Sequence, residues 1–106
     1  MWGEDCLRDI CCKLIDLGQD VQLHTHPGWR EDPRDPQWLQ SIRKKHSYMG
    51  SSKDLMAKLS LDEQVHVLEH GMEMLHKWIG YYPIAHRSGG YSINSDTLEA
   101  LSRVGI

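Results

Sequence analysis

The chain has 106 residues and a mass of 12.3 kDa, the size of one small domain or of a piece of a larger one. Twelve basic against fifteen acidic side chains give a net charge of −3 and a pI near 6.1, which excludes a pervasive basic footprint for nucleic acid. Charged residues at 25% argue against disorder, and no run approaches the ~18 apolar residues of a membrane span. The start, Met1-Trp2-Gly3-Glu4-Asp5, has neither a basic head nor an apolar run, so no secretory signal is read and a cytoplasmic location is expected. Seven histidines exceed what a domain of this size needs for packing, and they are the count to be explained.

The first predicted element is a helix over about Glu4 to Leu17. Leu7, Ile10, Cys11, Leu14 and Ile15 recur at helical spacing as one inward stripe, and Gly18 stands where a left-handed cap belongs. Cys6, Cys11 and Cys12 are odd in number and crowd that helix, which reads as structural thiols rather than a disulfide framework. Asp20 to His24 then alternates as a short strand closed by Pro27-Gly28. From Trp29 to about Leu59 the chain is loop-like, with a proline-broken charged stretch at residues 30–36 and a short helical piece around Trp38, Leu39 and Ile42. The run Arg43-Lys44-Lys45-His46 is a solvated face.

The second helix is the clearest element. Ser60 and Glu63 form a capping box, and Leu61, Val65, Leu68, Met72, Leu75 and Ile79 step along one seam until Gly80. Tyr81 to His86 follows as a strand limited by Pro83, and Arg87 to Tyr91 as the turn after it. A last helix over about Ser95 to Val104 turns Leu98, Leu101 and Val104 inward and stops at Gly105. Helices alternating with strands predict an α/β layer with a parallel sheet. Two strands alone cannot cover both faces of such a sheet, so the chain is expected to be cut at both ends.

Two places carry chemistry. His24 and His26 are i and i+2 on a strand and point to one face, a pair suited to zinc or another divalent ion that takes at least one further protein ligand. Arg87 offers a fixed cationic fork beyond the next strand, and Gly89-Gly90 lets backbone N–H groups approach a substrate oxygen. Trp29 and Trp38 present aromatic faces on which a pyranose ring stacks, with packing the commoner outcome for Trp38. His66 and His70 stand four apart on the second helix without a His-Glu-x-x-His order and read as a solvated face. His46 and His76 are assigned to the surface, and His86 to a strand position near the site.

Taken together, Val21-Gln22-Leu23-His24-Thr25-His26-Pro27-Gly28-Trp29, His86-Arg87-Ser88-Gly89-Gly90-Tyr91, Asp96-Thr97-Leu98-Glu99-Ala100-Leu101 and the closing Val104-Gly105-Ile106 resemble the polysaccharide deacetylase family, in its branch with a His-x-His-Pro strand end. The resemblance covers nearly the whole chain. It implies that residues 1–106 are a partial domain, a fragment of a distorted (β/α)7 barrel with parallel strands and covering helices. It further implies a divalent metal, commonly zinc, held by His24 and His26, and an N-acetylated sugar as substrate. Arg87 matches the arginine that orients the catalytic base, Gly90 and Tyr91 match the oxyanion-binding turn, and Trp29 and Tyr91 would line the sugar subsite. The chain departs from the family in lacking a strand ending in an Asp pair, the source of the base and of one ligand, and in the wording of the Gly90-Tyr91 turn. This chain alone is therefore expected to be inactive. The competing expectation is a non-catalytic α/β fragment, or a carbohydrate-binding module that keeps the fold without the chemistry.

Overall fold

The computed structural model describes residues 4–26, Gln37, Gln40 and residues 55–106. Among these stand three long helices and one two-stranded parallel sheet: α1 (Glu4–Asp16), β1 (Leu23–Thr25), α2 (Leu61–Ile79), β2 (His86–Ser88) and α3 (Ser95–Val104). A 3₁₀ turn at Met56–Lys58 precedes α2, and a tight turn at Gly89–Tyr91 follows β2. The order is that of an α/β domain. No described helix is long and apolar enough to cross a membrane. Trp29, Trp38, His46 and the basic run at 43–46 lie outside the described residues.

Helix α2 begins where its cap dictates. The Ser60 hydroxyl accepts from Glu63 N at 3.2 Å, and the Glu63 carboxylate accepts from Ser60 N at 3.1 Å, so two otherwise orphaned donors are satisfied. It ends at Gly80, whose φ of 85° closes the helix in the left-handed region at no side-chain cost. Helix α3 repeats the device: Asn94 and Thr97 each bond the other's backbone N–H. That cap draws Thr97 inward, and Thr97 and Ala100 are fully buried while Leu98, expected inside, is exposed.

The core is a strip of Leu23, Met56, Leu59, Val67, Leu68, Met72, Leu75 and Ala100. Leu68 and Met72 fall on the expected seam, but Val67 and the fully buried Gln64 lie beside it. Gln64 is held by its amide, which donates to Leu59 O at 3.2 Å and to Asn94 Oδ1 at 3.4 Å, tying the start of α2 to the cap of α3. Gly71 lets α2 approach the sheet: a Cβ there would fall 2.7 Å from a Leu23 methyl. A glycine inside a helix costs about 1 kcal/mol, and here close packing offsets it.

Both strands are displaced toward their C-terminal ends relative to the sequence reading. Gln22 Oε1 accepts from Ile84 N at 2.9 Å and from Ala85 N at 3.0 Å, and the Tyr81 hydroxyl takes both backbone groups of Val21. With Pro83 lacking an N–H, side chains replace the ladder there. True pairing starts at Leu23↔His86 and continues through His24↔Arg87 and Thr25↔Ser88, so Arg87 and Ser88 belong to the strand and not to the turn.

Helix α1 is the main correction. Leu7, Ile10 and Leu14, expected to pack inward, are exposed together with Leu17. The helix docks instead by its thiol edge: Cys11 packs against the core and the Cys12 thiol donates to Trp78 O at 3.1 Å. All three cysteines are free, which agrees with structural thiols.

Candidate metal and substrate site

Alternation along the strands sorts the side chains onto two faces. Leu23, Thr25 and Ser88 are buried on the side covered by α2, whereas the register partners His24 and Arg87 are exposed on the other. His26 follows β1 on the His24 side. Because β1 and β2 run parallel, His26 and the Gly89–Tyr91 turn both lie at the C-terminal ends of the strands, where α/β folds gather their ligand sites.

The two imidazoles converge. His24 Nε2 and His26 Nε2 are 2.9 Å apart, with the rings edge to face at 88°. His24 Nδ1 lies 2.7 Å from Arg87 O across the strands. A carbonyl only accepts, so Nδ1 carries the proton and Nε2 of the neutral ring presents its lone pair. A backbone partner on the second ring nitrogen is the usual way a protein fixes a ligating histidine. The donor set suits a divalent ion in chemistry, but at 2.9 Å the His24 lone pair accepts from His26 Nε2–H, a proton that must leave before both nitrogens can ligate. The set is incomplete among the described residues, where no group of three His, Cys, Asp or Glu side chains surrounds one point.

Arg87 adds a cationic side chain to the same face. Its guanidinium stands 5.7 Å from the centre of the Tyr91 ring, a cation–π contact, and makes no ion pair among the described residues. Tyr91 is 79% exposed, and its φ of 54° puts a bulky aromatic in the left-handed region. Gly90 before it has φ 60°, and Ser92 N donates back to Gly89 O at 3.2 Å, so the turn closes with two successive left-handed residues. Strain of this kind in a non-glycine residue gathers at functional sites.

His86 lies behind the pair. Its Nε2 is 2.9 Å from Thr25 Oγ1, and its pKa is pushed down to about 4, first by burial and then by the electrostatic influence of the neighbouring His24. It is therefore a neutral hydrogen-bonding ring at pH 7. The neighbouring Ser88 hydroxyl is buried without a hydrogen-bond partner among the described residues.

The structure thus brings together His24, His26, Arg87, Gly90 and Tyr91, while Trp29 lies outside the described residues. His66 is exposed and His70 half-buried on α2. His76, assigned to the open surface, stacks on Tyr82 with ring centres 4.1 Å apart. The sequence reading missed Gly89 as a packing partner of His26, because only the cross-strand register shows what a residue beyond β2 meets. An open groove of about 470 Å³ between α2, α3 and residues 82–84 lies at the opposite end of β2 and shares no residue with the histidine face. Compared with known protein families, with curated proteins and with solved structures, the chain matches none of them.

Proposed function

We propose that the chain is part of a metal-dependent amino-sugar deacetylase of (β/α)7-barrel type, with His24 and His26 as metal ligands. The observation that carries this is the 2.9 Å convergence of His24 Nε2 and His26 Nε2, with the His24 tautomer set by Arg87 O. A bound divalent ion such as zinc would lower the pKa of a water toward ~7 and polarise an amide carbonyl. The chain's own residues do the rest. His24 and His26 hold the ion, and Arg87 O keeps the His24 lone pair outward. The Arg87 guanidinium supplies positive charge at the same face, and the Gly90–Tyr91 turn offers backbone donors and an aromatic ring to an N-acetylated sugar.

The barrel assignment draws support from the layer order. Among the described residues β1, α2, β2 and α3 alternate along the chain, with α2 packed on the Leu23 side of the sheet, α3 packed on α2, and His24 and Arg87 on the opposite side. Parallel sheets are ordinarily covered on both faces, and in a closed barrel the inner face is covered by the other strands. A non-catalytic binding module is the second reading, favoured by the incomplete ligand set among the described residues.

Zinc content after purification and dialysis tests the proposal. Wild-type protein is expected to retain the metal, and His24→Ala and His26→Ala to lose it. Equal metal in all three proteins sinks the ligand assignment. Retained zinc without acetate release from an N-acetylated amino-sugar oligomer favours the non-catalytic binding module.

A further inference from the structure

We infer that Gly89 is a positioning residue for His26, required for the space it leaves rather than for backbone freedom; the inference rests on the metal-site reading above. Gly89 is buried and its φ is not positive, so an alanine could adopt its backbone conformation. What excludes a side chain is the neighbourhood. A Cβ at this position would stand 2.7 Å from both Cε1 and Nδ1 of His26 and 2.8 Å from the carbonyl oxygen of Thr25. Thr25 closes β1, and its backbone is held by pairing with Ser88.

The ring edge that rests on Gly89 is the Nδ1–Cε1 edge. The next ring atom, Nε2, is the one that meets His24 Nε2 at 2.9 Å. Gly89 is therefore a shelf that sets the rotation of His26 and aims its ligating corner at its partner. The other ring is set by the same stretch of chain, since Arg87 O takes His24 Nδ1. One short piece of β2 and its exit thus templates both imidazoles of β1, His24 by a carbonyl and His26 by the absence of a side chain. A substitution at Gly89 displaces a ligand without touching its identity.

Gly89→Ala and Gly71→Ala form the test pair. Gly71→Ala introduces a clash of the same 2.7 Å, but against a Leu23 methyl on the covered face, so it reports general destabilisation of β1. Zinc affinity is measured by competition with a chromophoric chelator, and the His24–His26 ring contact by NMR on metal-free protein. Gly89→Ala is expected to weaken zinc binding by ~10–100-fold, the range for loss of an outer-shell support, and to lose the ring contact. Gly71→Ala is expected to keep both. Wild-type affinity with an intact ring contact in Gly89→Ala overturns the inference, as does an equal loss in Gly71→Ala. Should Gly89→Ala not fold, Gly89→Ala/His26→Ala decides: recovered folding shows that the ring fills the space, and no recovery assigns the glycine to the Thr25 carbonyl, 2.8 Å from a Cβ, and overturns its role for His26. Wild-type protein that binds no zinc sinks the metal reading alone, because the ring contact and its loss are read without metal.

Discussion

The two faces of the short parallel sheet have opposite characters. On the α2 side, Leu23, Thr25 and Ser88 are buried, and Gly71 brings the helix down onto them. On the other side, His24 and Arg87 are exposed, an arginine sits over a tyrosine ring, and that tyrosine holds a strained backbone angle. One face is composed for packing and the other for presenting nitrogen atoms. The covered face should therefore carry the stability, and the open face should be nearly silent in an unfolding experiment.

The largest expected effect is on the covered side. Leu68 is fully buried at the centre of α2, and Leu68→Ala is expected to cost ~2–5 kcal/mol in denaturant unfolding. For a domain of this size that is a large share of the total stability. Gln64→Ala comes next, at about 1–3 kcal/mol, because it leaves Leu59 O without its amide donor and removes the link to Asn94. If either variant unfolds at the wild-type denaturant midpoint, the covered face is not where the stability lies.

His86, the register partner of Leu23 on the covered side, gives a pH test. Its folded-state pKa of about 4 is below the 6.5 of an ordinary histidine, so between these values the unfolded chain binds a proton that the folded chain does not. Its contribution is complete above pH 6.5 and is lost as the pH falls through the window toward 4. The metal-free protein should become less stable across that interval, and His86→Gln should flatten the slope. A slope unchanged by the substitution would remove His86 as its source. Because the ring is only partly buried, solvent screening keeps the effect below that of the core substitutions.

Local signals were legible in the sequence and tertiary ones were not. The bounds of α2 and α3 follow from residues within one turn of each end: Ser60 with Glu63 and Gly80 for α2, and Gly105 for α3. The shared face of His24 and His26 follows from strand alternation alone. The start of β2 was illegible, because the Gln22 side chain and the Tyr81 hydroxyl substitute for ladder bonds, and both act across sixty or more residues. The outward stripe of α1 was illegible for a related reason. Periodicity tells that Leu7, Ile10 and Leu14 share a face, but not that the Cys12 edge is the one that meets α2. Gly89 shows the same limit at the site, since its value depends on a ring brought to it from β1.

The smallest effect is the sharpest test of the open face. In Tyr91→Gly, relief of the left-handed conformation returns ~1–2 kcal/mol. Against this stand the greater backbone entropy of glycine in the unfolded chain, about 0.5–1 kcal/mol, and the lost contact with Arg87, ~0.5–1 kcal/mol at an exposed position. The contributions nearly cancel, so the unfolding midpoint should stay close to wild type. A loss well above 1 kcal/mol, the top of that contact range, would place the ring among the packing residues. An unchanged midpoint would instead mean that the strained turn and its aromatic ring are held at almost no net cost to stability. The strain at φ 54° would then be balanced within the turn itself, by the Arg87 contact and by the smaller unfolded-state entropy of a tyrosine.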